Sequence, residues 1–438
     1  MIETLLWALA GATAASLIAW IPALHIYNVA ALLLLTIESG AISIEAESMA
    51  YLFLGLVTGY AMGNTIPSIF FAAPDESMIF VVLPGQKYLL QRRGYEAVAL
   101  TGLGGLIGLS ALAALAPVAS RTLPALREIL QPHLGWILWT IIAYLLLSEW
   151  PKGTGRAPSG WQRWWDGWRS LTAGFATFIL SGLLGMVLMV RSPVQVDVAF
   201  QNLMPAFVGL FAVPWVVTNL LGQVSVPPQH IAHSLDISWS DVVQGAASGV
   251  MGGLFAAFLP VVTGGIGGFL AGHATAQRDD RAFLVAQGAA KIVYYVGGFL
   301  LFFVPGVHLT RGGMAWMVST RYTPYTPAQY YTATAGALAA GVLAFLISLG
   351  TARMAVAAVA RLSYRALSWI TLGLLVLVVS GVTGPVGLAI CAIATGIGLI
   401  PVFWGARRMN AMGVLLLPIA LNMSGAGNAV AGFLGLLD

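Results

Sequence analysis

The residues of this chain that could do chemistry gather at two places where helical patterning breaks. The first reads Gly63-Asn64-Thr65-Ile66-Pro67 and then Ala73-Pro74-Asp75-Glu76; the second reads Leu259-Pro260-Val261-Val262-Thr263-Gly264-Gly265-Ile266-Gly267-Gly268. Proline interrupts a helix because it has no N–H and its ring clashes with the preceding turn. A helix that restarts after the break offers free N–H groups and a positive dipole end, which suit an anion. Thr263, Gly264, Gly265 and Gly267 fit that task because glycine lets backbone approach a ligand closely; the same glycines would also serve tight helix packing. Asn64 and Pro74 are their counterparts at the first break. Asp75 and Glu76 read either as caps of the returning helix or as acids on an ion path. With Glu38 they are the candidate ion-coupling residues. Lys291 stands inside an apolar run, where an idle lysine costs ~2.5–3.5 kcal/mol on insertion scales. Its candidate partners are Glu38, the acidic first tip and a bound anion.

The elements that position these residues are apolar throughout. Hydrophobic residues make up 59% of the 438, charged residues 8%, and glycine occurs 51 times. Mean hydropathy is +0.87. A soluble domain carries roughly 25% charged residues, so this chain cannot clothe a water-facing surface. It reads as an all-α integral membrane protein of the prokaryotic plasma membrane, with its helices in lipid. Thr4 to Ile21 reads as a span rather than a cleavable signal, because Glu3 stands where a basic flank would be. Cys391 is the single cysteine, which excludes a disulfide within the chain and a cysteine metal cluster.

Apolar runs place spans near 4–21, 28–45, 95–117, 134–148, 169–190, 203–222, 282–304, 331–349, 366–381, 385–400 and 411–430. About 11 transmembrane helices result, with two broken regions, 50–86 and 241–273, left over. A shift of 186 residues pairs Val57 with Val243, Gly59 with Gly245, Gly63 with Gly249, Pro74 with Pro260 and Arg92 with Arg278. This predicts an internal repeat: unit 1 over 1–150, unit 2 over 169–350, and three closing helices over 351–438. If both broken regions cross the membrane, the repeats are inverted and basic residues are shared evenly between the two sides. If both are re-entrant hairpins, one side carries fourteen basic residues and the other five. The positive-inside rule favours the hairpins, with an inside N-terminus. Two tips meeting near midplane would form a preformed anion site.

Other patterns carry less. His230, His233 and Asp236 have ligand types at helical spacing but no fourth anchor. Trp161, Trp164, Trp165 and Trp168, interleaved with Arg163 and Arg169, read as an interfacial anchor. Asn422, Ser424 and Asn428 read as bonds to neighbouring helices. Walker A, HExxH and Ser/His hydrolase patterns are absent, as is any nucleic-acid signature, so no enzymatic activity and no cofactor are expected.

Residues Ile66 to Glu76, then Val82-Leu83-Pro84-Gly85 and Arg93-Gly94-Tyr95-Glu96-Ala97, resemble the archaeal branch of the large permease family of tripartite tricarboxylate transporters. Arg281 to Gly288 and Thr310-Arg311-Gly312-Gly313 share that likeness, and Arg311 joins the candidate substrate-binding set. The resemblance implies an ion-gradient-driven permease for carboxylates, coupled to H+ or Na+. It also implies a small membrane subunit and a periplasmic binding protein as partners; a homo-oligomer is the other assembly to expect. Pro74-Asp75-Glu76 and Pro260-Val261-Val262-Thr263-Gly264 depart from the family's Pro-Gly breaks. Acids at a tip repel a trianion such as citrate unless they are protonated or cation-bound. A translocator of an anionic lipid carrier such as a polyprenyl phosphate, or a non-transporting membrane subunit, are the alternative readings.

Overall fold

In an apolar medium each backbone N–H and C=O needs a partner within the protein, and helices supply one locally. The computed structural model accordingly contains helices and no strand among the described residues. These are residues 2–437 apart from 22–23, 72, 75–76, 79, 151–159, 196–200, 223–225, 261, 276–278 and 362. In chain order the helices are α1 (Ile2–Ile18), α2 (Ile26–Glu38), α3 (Ala46–Gly63), α4 (Thr65–Phe70), α5 (Val82–Leu90), α6 (Gly94–Leu130), α7 (Leu134–Leu147), α8 (Trp161–Val190), α9 (Met204–Phe207) and α10 (Val213–Leu221). They continue as α11 (Trp239–Phe258), α12 (Gly264–Ala274), α13 (Asp280–Ile292), α14 (Gly298–Phe303), α15 (Gly313–Ser319), α16 (Pro327–Arg361), α17 (Tyr364–Trp404), α18 (Gly413–Met423) and α19 (Gly427–Phe433). Among the described residues, eight helical stretches are long and apolar enough to cross a membrane, or nine if the bent pair 408–423 and 427–433 is one span. Two shorter apolar helices, α1 and α2, add to these. The architecture is that of a multi-pass membrane protein.

The chain divides into two compact units, one of residues 1–127 and 219–371, the other of 128–218 and 372–438. In the second unit, Glu149 is buried and accepts the Arg407 N–H at 2.6 Å and the Asn410 side-chain amide at 3.2 Å. The Arg408 guanidinium lies 3.3 Å from the centre of the Trp215 ring. Trp161, Trp164 and Trp165 are exposed along α8.

In the first unit, glycine sets the approach of the helices. A Cβ on Gly267 of α12 would stand 2.1 Å from the Gly252 carbonyl oxygen of α11, so the two backbones touch and no larger residue fits. Gln244 of α11 donates to the Thr275 carbonyl at 3.3 Å, so α12 runs back along α11. With 11 residues α12 is about 16 Å long, half of the ~30 Å hydrocarbon core. Its first residue, Gly264, lies against Lys291 in the middle of the α13–α14 stretch, and Gly268 lies against Gln287. Residues 239–275 therefore form a hairpin that reaches the middle of its neighbour and returns.

The N-terminal part holds a second short hairpin, made by α1 and α2. Gly11 lies against Leu52 and Leu56, Gly59 against Ala12, and Gly63 against Ala19, so α1 and α3 run parallel. The intervening α2 starts with His25 beside Tyr60 and ends with Glu38, 3.9 Å from Arg321. The adjacent Tyr322 donates to Glu47 at the start of α3, so α2 has returned to that level. The region 50–86 is built differently. Pro67 falls in the first turn of α4, where its missing N–H breaks no helical bond. Ala46–Phe70 therefore continues as a 25-residue apolar stretch, and α5 packs at its end, with Gln86 donating to the Ile69 carbonyl at 2.7 Å.

The two three-helix groups, α1–α3 and α11–α13, point opposite ways. Tyr51 meets Phe303 at 5.9 Å and Tyr60 meets Tyr295 at 6.0 Å between ring centres, while Thr65 meets Lys291, so α3–α4 and α13–α14 are antiparallel. At one end, Lys87 pairs with Asp280, and Arg93 and Arg281 share Asp236 at 3.3 and 2.7 Å. Arg93 also grips the buried Glu96 with two bonds of 2.7 Å, and that carboxylate pushes the arginine above its ordinary range. Single cysteines at Ser43 and Ser240, in a Cys391→Ala background, should therefore react with an impermeant maleimide from opposite faces of the membrane. Labelling of both from one face in intact cells would contradict the antiparallel arrangement.

Candidate functional site

Both long stretches that cross in the first unit are interrupted at the crossing. The chain turns at Asn64 between α3 and α4, and it widens into a π-turn over Val293–Gly297 between α13 and α14. Such π-turns loosen the backbone ladder and recur at functional sites. At this point the Lys291 ammonium donates to Asn64 Oδ1 at 2.8 Å and to Thr65 Oγ1 at 2.5 Å. All three side chains are buried, Lys291 to 2% exposure. A charge there is tolerated because polar oxygens replace part of the water it has lost.

The second hairpin tip comes to the same place. Thr263 is buried and caps α12, its Oγ1 accepting the Ile266 N–H at 3.4 Å. Gly264 packs against the Lys291 backbone and Tyr294, and the buried Gly265 follows in the first turn. Gly267 faces α11, so close packing accounts for it. Thus Asn64, Thr263, Gly264 and Lys291 are brought together as one cluster. Pro74 is buried in the segment between α4 and α5, and Phe80 of that segment stacks on Phe269 of α12 at 4.9 Å. Asp75 and Glu76 lie outside the described residues. Glu38 is exposed at the end of α2, apart from the cluster and facing Arg321.

Arg311 is engaged with backbone. Its guanidinium donates to four carbonyls of the second hairpin: Ala256 at 3.0 Å, Ala257 at 3.1 Å, Val262 at 3.1 Å, and Leu259. These are the carbonyls left open at the end of α11 and through the tip, and an arginine fork can serve several at once. Asp236, placed with His230 and His233 by sequence, is held by Arg93 and Arg281.

Residues 5–413 match the tripartite tricarboxylate transporter TctA family. The chain belongs to the TctA family. An uncharacterized protein of Methanocaldococcus jannaschii is 23% identical over 431 residues, which cover 95% of this chain and 98% of that one. No solved structure matches the chain. As a TctA member with many apolar helices, the chain is a multi-pass component of a membrane transport system of the cell membrane.

Two polar residues of this TctA cluster escaped the sequence reading. Gln287, one turn before Lys291 on α13, is 1% exposed, and neither its amide oxygen nor its nitrogen has a partner among the described residues. Leaving such a group unsatisfied costs about 1–3 kcal/mol, and the cost vanishes when a ligand or water supplies the bond. His25, at the start of α2, has its Nε2 3.3 Å from the Tyr295 hydroxyl. A polar residue in an apolar run is the signal that could have found both.

The four-carbonyl role of Arg311 predicts that Arg311→Lys, although it keeps the charge, lowers stability. One ammonium cannot span carbonyls from Ala256 to Val262, so a loss on the order of 2–4 kcal/mol is expected. Thermal unfolding followed by size-exclusion fluorescence checks it. Unchanged melting with weakened anion affinity would instead return Arg311 to direct binding.

Proposed function

We propose that this TctA protein is a secondary carrier, driven by an ion gradient, that moves a small carboxylate bound beside Lys291. One observation carries the reading: a lysine buried to 2% exposure at the point where two interrupted helices cross and a hairpin tip ends. Discontinuous helices near midplane are where other carriers hold charged substrates, because helix ends and a buried cation supply fixed charge without help from water. The start of α12, with Thr263, Gly264 and Gly265, adds the N-terminal end of an 11-residue helix to the Lys291 charge. The unsatisfied amide of Gln287 offers a further donor on the same face of α13. Asp75 and Glu76 are the proposed ion-coupling pair of the first break, and H+ or Na+ is the ion. The tripartite family description favours a small membrane subunit and an external binding protein as partners.

Uptake of labelled citrate, succinate and smaller carboxylates into proteoliposomes, under imposed H+ and Na+ gradients, tests the reading. Lys291→Met keeps much of the side-chain volume and removes the charge. It should weaken affinity for the accepted carboxylate tenfold or more, at about 1.4 kcal/mol per decade, while the protein stays monodisperse. Undiminished affinity in well-folded Lys291→Met would overturn the binding role. Movement of a fluorescent polyprenyl phosphate, with no carboxylate taken up, would replace the carboxylate carrier with a lipid translocator.

A further inference from the structure

The second unit holds a cation that pairs with no carboxylate among the described residues. Arg408 opens a 3-10 turn over Arg408–Met412, between α17 and α18, and its guanidinium lies over the face of the Trp215 ring of α10. A ring face attracts the positive charge, yet it offers no acceptor to the N–H groups in the plane of the guanidinium. Nη1 of Arg408 is buried without a partner among the described residues, and the indole Nε1 of Trp215 is buried and open in the same way. The nearby carboxylate is already engaged: Glu149 accepts the Arg407 N–H at 2.6 Å and the Asn410 amide at 3.2 Å. None of the ion pairs among the described residues includes Arg408. Buried donors left unmade cost stability, and a charged donor costs more than a neutral one.

Aromatic rings mark the level at which this cation lies. Trp404, at the end of α17, meets Trp165 of α8 at 6.4 Å between ring centres, and Trp168 meets Trp150 at 5.7 Å. Gly174, within two turns of Trp168 on α8, packs on the Asn410 amide of the 3-10 turn. Tryptophans gather where the hydrocarbon core meets the headgroups, so Arg408 stands at that boundary, where phosphate esters are the abundant anions. Arg408 and Trp215 are both half-buried and not enclosed, so a headgroup can reach them. The two open groups are donors and one is charged. Their complement is a negative group that accepts through more than one oxygen, as a phosphate does, and the arginine fork suits it. We propose that Arg408 and Trp215 bind the phosphate of an anionic phospholipid at the headgroup level of the second unit. None of the residues proposed to bind substrate takes part, so the site stands whether or not a carboxylate is transported.

The test uses the full chain in a maltoside detergent, with thermal unfolding followed as lipid is added. A ligand that binds the folded state raises the melting temperature until its site is full. Phosphatidylglycerol should do so saturably. Phosphatidylcholine, whose choline cancels the phosphate charge, should need about tenfold more to reach the same effect. Arg408→Gln should raise the half-saturating concentration of phosphatidylglycerol by about tenfold. Trp215→Phe keeps a ring face for the guanidinium and removes the N–H, so a rise of about fivefold is expected. Arg361→Gln removes an exposed charge elsewhere in the chain and should change nothing, which separates a defined site from the general attraction of anionic lipid to a basic protein. Should Arg408→Gln fail to fold, retention of phosphatidylglycerol by wild type and Trp215→Phe in native mass spectrometry decides the matter, with less retained by the variant. Equal half-saturation in wild type, Arg408→Gln and Trp215→Phe, or an equal loss in Arg361→Gln, would overturn the site. If inorganic phosphate stabilises the wild type and displaces phosphatidylglycerol, and Arg408→Gln abolishes both effects, the ligand is a free oxyanion and the lipid assignment is overturned.

Discussion

A helix interrupted inside an apolar medium leaves carbonyl and amide groups that no water can reach, and the first unit is organised around supplying their partners. Arg311 alone serves four carbonyls at the end of α11 and the second tip. Thr263 and His25 take N–H groups at the starts of α12 and α2. The two N-caps are local, whereas Arg311 has to be carried in by another element at close range, and glycine lines the helix contacts that make such approach possible. Without the backbone-to-backbone approach of α12 on α11, the tip would not reach the level of Lys291. Satisfying the broken ends and assembling the charged cluster are therefore one structural problem.

The sequence made some of this visible and hid the rest for identifiable reasons. The second break was legible because Pro260 and four nearby glycines stop one helix and permit the next. Lys291 was legible because a lone charge in an apolar run is costly. The first hairpin was not. Its two arms are apolar and each was read as a full span, since hydropathy reports length in lipid and not the direction in which a helix is packed. Glycine contacts at Gly11, Gly59 and Gly63 decide that direction, and they are tertiary. Pro67 did mark an interruption, at Asn64 within the turn before it, but the helix resumes directly as α4 instead of turning back there. The role of Arg311 depends on where the carbonyls of Ala256 to Val262 end up, which no spacing encodes.

The cluster also divides labour between charged and neutral groups. In the proposed site Lys291 carries the fixed charge, while Asn64, Thr65 and Gln287 are neutral groups that can both donate and accept. A site built only of cations would repel itself when empty. One built only of neutral groups would hold an anion weakly.

The contact between Gly252 and Gly267 has a mechanical consequence. Two arms joined backbone to backbone cannot splay, since prying them apart would open a gap that no side chain fills. The same kind of contact joins the hairpin to its neighbour: a Cβ on Gly245, Gly249 or Gly253 of α11 would stand 2.4, 2.2 or 2.8 Å from the carbonyl oxygens of Ala282, Ala286 and Ala290 of α13. The second hairpin and α13 are thus clamped through glycine on α11, and they would move, if at all, as one stiff body.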